Sequence, residues 1–335
     1  MTYNDCSWLH KLVRTLTAKQ FYKEYFSQCN VVIALLLTML TVYFHIASKQ
    51  SVCDTWPNCS IEPNSTFDLT EPNNFFSYLL TGLLSAALFL FAVTSAWQKQ
   101  QSSKRIIVAS LLLILTAIHF MAAHVNVYLR YDPLFATGHI ALGLLITGCV
   151  WWLSLLLQDT TPQPVSAELT LLRPWAVIAI TLLIIEIMLG IWTSAFTASL
   201  IYHDIPNNTS IWMNGQKFIN LPVNNGFIQK IYLNIPFLLA KVNSQMLHRF
   251  AAYLMTAFMV PFALCLLLIN GKYNLQSLGA FLLSVVALQF ALGIISALFE
   301  AQIETHTLLA ILHTAMSGIL LLTMSTIIYR LFRTD

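Results

Sequence analysis

The chain has 335 residues, of which 57% are hydrophobic and only 9% charged, with a mean hydropathy of +0.70 and a formal net charge of +3. A soluble domain carries about 25% charged residues, so this composition cannot dress a globular surface in water and excludes a soluble enzyme. The charge is small and unclustered, which excludes a nucleic-acid partner and leaves the lipid bilayer as the natural one.

Residues 1–29 are polar and mixed in charge, with neither a cleavable signal pattern nor an Arg-rich transit peptide, and read as a cytoplasmic segment. Beyond them, a spanning helix needs about 20 mostly apolar residues. Eight runs qualify, roughly 30–49, 74–96, 106–127, 135–157, 175–197, 246–269, 277–298 and 308–330. An even number puts both termini on one side, and Lys and Arg decide which side. With the termini inside, the inner segments hold eleven of these cations and the outer segments five, so the termini are expected to be cytoplasmic. The expected location is a bacterial inner membrane rather than a mitochondrial one.

The first helix is followed by an outer loop containing "CDTWPNCSIEPN". The outer compartment is oxidising, so Cys53 and Cys59 can close a tight loop there, with Pro57 fixing the turn. The pair reads either as a staple for the loop or as a redox-active couple. Helix 2, "NNFFSYLLTGLLS", carries no charge. Helix 3 contains "HFMAAHVNV", with His119 and His124, and helix 4 opens with "GHIALGLLITG", with His139 near its outer end. A linker, 158–173, then separates an N-terminal half, 30–157, from a C-terminal half, 174–335.

The second half echoes the first. Helix 8, "LHTAMSGILLLT", places His313 where helix 4 places His139. Helix 5 sets Glu186 four residues before Gly190, helix 7 sets Gln289 four before Gly293, and helix 3 sets His119 four before Ala123. Each half also has a long outer loop after its first helix, 50–73 and 198–245. The expected fold is therefore all-α, a polytopic membrane protein of eight transmembrane helices arranged as two duplicated four-helix bundles in the same orientation.

Polar groups inside a membrane are costly and usually functional. His248 in helix 6 and His313 in helix 8 lie within about one helical turn of each other in depth at 1.5 Å per residue. Two imidazoles facing across a bundle at one depth suit the two axial positions of a haem iron. Arg249 follows His248, and its long side chain can reach outward to a haem propionate. The alternative is that the histidines hydrogen-bond across helices and bind nothing.

Taken together, these motifs resemble the haem A synthase family. The resemblance rests on Cys53, Trp56, Pro57 and Cys59 in the outer loop, on His139, and on His248–Arg249 in "MLHRFAAYL". It rests further on Leu312–His313, on Gln289 and Gly293, and on Tyr202, Pro206, Met213, Asn214 and Gly215 after helix 5. It implies oxidation of the C8 methyl of haem O to the formyl of haem A for haem–copper oxidases. It also implies a b-type haem between His248 and His313 in the C-terminal half, and the substrate haem in the N-terminal half beneath the cysteine pair. Haem O synthase, oxidase assembly factors and a second copy of the chain are the partners it suggests.

The sequence departs from the family in helix 2. Ser77 stands at the family's Glu position, Leu80 at its His and Thr81 at its Arg. Helix 3 gains His119 and His124, and helix 5 carries Glu186 where Gln is usual. Leu cannot ligate iron, and Ser cannot do a carboxylate's proton work. Three readings follow: a divergent haem A synthase in which His119 or His124 stands opposite His139, a haem-binding relative that carries haem or electrons or assists oxidase assembly, and a membrane protein whose histidines are structural.

Overall fold

The computed structural model describes residues 28–43, 72–96, 103–128, 133–158, 167–195, 225–269, 275–299 and 303–333. Cys53, Cys59 and the segment from Tyr202 to Gly215 lie outside them. The described residues form helices only: α1 (Gln28–Tyr43), α2 (Pro72–Ala96), α3 (Ser103–Tyr128), α4 (Pro133–Leu157), α5 (Ala167–Ala195), α6 (Asn225–Leu268), α7 (Leu275–Leu298) and α8 (Ile303–Phe332). Six contain stretches long and apolar enough to cross a membrane, and the described parts of α1 and α2 contribute shorter apolar helices. This fits a multi-pass membrane protein.

Helix is what the bilayer demands, because every backbone polar group must be satisfied within its own segment. The hydroxyls follow the same rule. Thr38, Thr41, Thr116, Thr147, Ser154, Thr193, Thr323 and Ser325 each donate to the carbonyl four residues back. An apolar helix thereby carries hydroxyls without leaving them unsatisfied. Large apolar residues such as Leu83, Ile107 and Leu171 face outward, as suits a protein whose solvent is hydrocarbon.

Between helices, small residues make close approach possible. Ala34, Ala92, Ala109, Ala136, Ala176, Ala179 and Ala263 are fully buried. A Cβ on Gly279 would fall 2.8 Å from the Ala263 carbonyl oxygen, so α7 lies directly against the α6 backbone. In the C-terminal half α5, α6, α7 and α8 pack as a closed ring, each on its sequence neighbour and α8 back on α5. In the N-terminal half α2 packs on α3 and α3 on α4. There α1 buries Val31, Ala34 and Leu37 in one cluster with Leu88, Phe91, Leu112 and Val150, and Thr38 meets Thr147 of α4 at 3.3 Å.

The halves join through α4 and α8, with α4 also against α5 and Leu35 of α1 against Gly318 of α8. The Trp151 indole donates to Thr326 across this seam at 2.8 Å. At one end of the molecule, Arg105 and Arg173 donate to the terminal carbonyls of Leu156 and Leu331. Cations suit helix C-termini, whose last carbonyls have no partner in their own helix.

Two boundaries differ from the sequence reading. Helix α5 begins at Ala167 and carries Pro174 within it, whereas the prolines suggested a linker running to 173. Leu169, Leu172 and Ala176 are buried in the core of the C-terminal half, and this tertiary burial outweighs the local cost of the proline. Helix α6 begins at Asn225, some twenty residues before the apolar run, and continues through Pro236.

Candidate functional site

The C-terminal ring brings His248 of α6 and His313 of α8 together edge to face. Their ring centroids are 6.4 Å apart and their planes nearly perpendicular, at 81°. A metal bonded to a nitrogen of each ring needs about 2 Å per bond plus roughly 1 Å from nitrogen to ring centre, hence about 6 Å between centroids. The separation therefore matches one metal ion held between two imidazoles.

Each ring is held from behind by a pair of residues one turn apart on a neighbouring helix. For His248 the pair is on α5. Glu186, 3% exposed, brings Oε1 to 3.3 Å from His248 Nδ1, and a Cβ on Gly190 would fall 2.9 Å from His248 Cε1. For His313 the pair is on α7. The Gln289 amide nitrogen lies 3.2 Å from His313 Nε2 and donates to Ser317 Oγ at 2.7 Å, while a Cβ on Gly293 would fall 3.1 Å from His313 Cε1. Spacing of i and i+4 puts both members of each pair on one helix face. The polar residue fixes the ring edge, and the glycine leaves room for its body. His248 Nδ1 and His313 Nδ1 are both buried with no aligned hydrogen bond among the described residues.

The N-terminal half contains a different arrangement. His119 of α3 is fully buried and lies against His139 of α4, with ring centroids 4.3 Å apart and planes tilted by 48°. That is direct ring contact, about 2 Å too close for a metal ion bonded to both. Neither nitrogen of His119 has a hydrogen-bond partner among the described residues. His124 lies on α3, but its side chain is outside the described residues, as is that of Ser77 on α2. Leu80 is half-buried and Thr81 buried.

The structure thus brings together His248 with His313, and His119 with His139. Arg249 adjoins His248 on α6 and is half-buried. No group of three or more His, Cys, Asp or Glu capable of holding a metal occurs among the described residues. The roles of Gly190 and Gly293 as seats for the rings were not legible from composition. The signal was a polar residue four before a glycine on both α5 and α7.

The sequence matches the family model described as cytochrome oxidase assembly protein, COX15-CtaA, over residues 78–325. It is similar to two proteins named heme A synthase. That of Rickettsia felis is 29% identical over 152 residues, and that of Rickettsia akari 28%. Each match covers 44% of this chain and 42% of the relative, so it spans less than half the relative's length. The family model itself reaches across both groups of helices and takes in His119, His139, His248 and His313. The chain belongs to the cytochrome oxidase assembly protein family.

Proposed function

We propose that the chain is a haem A synthase-like membrane protein that serves the supply of haem A to haem–copper oxidases. The observation that carries this reading is the His248–His313 pair at 6.4 Å, with each ring held by a polar residue and a glycine. In this reading His248 and His313 would hold a b-type haem between them, and Arg249 would pair with a propionate. The haem would supply one-electron chemistry there. The protein's part is to fix both rings, exclude water through the closed helix ring and hold the iron at one depth. The N-terminal half takes haem O as substrate and haem A as product, with His139 as its one family ligand and no residue assigned to the proton work that Ser77 cannot do. The halves 30–157 and 174–335 are taken as duplicated bundles. Their support is the matched packing: α3 on α4 beside α7 on α8, α1 on α4 beside α5 on α8. The location is a bacterial inner membrane with both termini in the cytoplasm.

The similarity to proteins named heme A synthase supports this reading. A second reading, a haem-binding relative without synthase activity, is favoured by the 4.3 Å contact between His119 and His139 and by Leu80. Haem analysis of membranes from cells with and without the gene separates the two. Loss of haem A with accumulation of haem O in its absence supports the synthase, and an unchanged ratio of the two supports the relative. On either reading the outer-loop cysteines are expected to be bridged. Thiol labelling of Cys53 and Cys59 should rise only after reduction, and full labelling beforehand would exclude the bridge.

A further inference from the structure

Among the described residues, Glu186 is the one carboxylate buried within the C-terminal helix ring, inside a span of high hydropathy. An acidic side chain there is expensive and needs a partner. Its nearest charged neighbour is His248: Oε1 lies 3.3 Å from Nδ1, within ion-pair distance though not aligned as a hydrogen bond. Gly190, one turn further along α5, lies under the same ring, so α5 touches His248 at its edge and at its body. His313 has no such neighbour, since its corresponding contact is the neutral amide of Gln289.

We propose that Glu186 is a positioning residue for His248: from its 3.3 Å approach a small turn of the ring lets the carboxylate accept the Nδ1 proton, which turns Nε2 towards the pocket and lowers the reduction potential of a haem held there. This deepens the bis-histidine reading and rests on it. An imidazole that donates its second N–H to a carboxylate is locked in tautomer and orientation and is a more basic ligand. A more basic axial ligand favours ferric over ferrous iron, and hydrogen bonding around the ligands is a recognised control on haem potential. The two axial ligands are then unequal by design of the sequence, His248 backed by a carboxylate and His313 by an amide.

The test is redox titration of the purified full chain with Glu186→Gln, Glu186→Asp and Glu186→Leu, beside His248→Ala. Glu186→Gln preserves shape and the acceptor oxygen but removes the charge, so its haem is expected to stay low-spin with a midpoint potential above the wild type. Glu186→Leu should shift the same way and broaden the low-field ferric EPR line, because the ring loses its orientation. A potential in Glu186→Gln equal to that of the wild type, with haem retained, overturns the proposal while leaving the bis-histidine reading intact. If Glu186→Gln loses its haem, Glu186→Asp decides: retention there supports the carboxylate's role, and loss there too overturns it. An unaltered haem spectrum in His248→Ala overturns the bis-histidine reading and this proposal with it.

Discussion

Gly190 and Gly293 are the residues on which the geometry of the C-terminal site turns. A methyl at Gly190 would lie 2.9 Å from His248 Cε1, a distance that Cβ atoms essentially do not tolerate, and the obstructing atom is a ring rather than a flexible tip. At Gly293 the distance to His313 is 3.1 Å, and the ring there must yield by only a few tenths of an ångström. Gly190→Ala is therefore expected to reduce haem retention and shift the reduced alpha band more than Gly293→Ala does. Absorption spectra of the two purified variants at equal protein concentration check the order. Equal spectra from both would mean that the rings are free to move aside, and that the glycines do not seat them. The partner contacts rank in the same way. Removing the imidazole at His248 or His313 should abolish or reshape the Soret and alpha bands, since each change leaves one imidazole of the pair.

Helix packing is set by how closely neighbouring backbones approach. At Gly279 the obstacles to a Cβ are the Ala263 carbonyl oxygen at 2.8 Å, Leu266 Cβ at 2.9 Å and the Leu267 nitrogen at 3.0 Å. All belong to the α6 backbone or its root and cannot rotate away. Gly279→Ala must therefore push α7 from α6, and such overpacking costs about 1–3 kcal/mol. A lower midpoint for thermal loss of the haem spectrum in detergent is the expected result, and an unchanged midpoint would show that α7 tilts freely. This contact was invisible in the sequence, where Gly279 is one small residue in an apolar run. The helices themselves were legible, because runs of about 20 apolar residues have few alternatives in a chain with so few charges. The start of α5 was not, because prolines near 173 argue locally for a break, while the buried faces of Leu169 and Leu172 hold the helix together from outside. The pairing of His248 with His313 was legible from matched depth. The side on which Glu186 faces was not, since periodicity places a residue on a helix but does not say which neighbour covers it.

The two halves of the molecule differ in what they can hold, and the difference follows from one exchange of position. His119 stands four residues before Ala123 on α3 as Gln289 stands four before Gly293 on α7. Each touches the histidine of the next helix: His119 the ring of His139, Gln289 the ring of His313. By this correspondence His119 backs His139 rather than facing it across a metal, and the 4.3 Å between their centroids agrees. On the family resemblance the counterpart of His248 would come from α2, with Leu80 at the ligand position. Among the described side chains, the C-terminal half then has two opposed imidazoles and the N-terminal half one. The purified protein is expected to retain one haem per chain. His119→Gln should leave that content unchanged, because an amide can hold His139 as Gln289 holds His313. Leu80→His should raise it towards two, by supplying the missing ligand opposite His139, and Ser77→Glu added to it should increase haem A in cells if the rest of the substrate pocket survives. Pyridine haemochrome assay against protein concentration gives the stoichiometry. Two haems in the wild type, one of them lost in His119→Gln, would make His119 an axial ligand itself and would require α3 and α4 to part when haem enters between them.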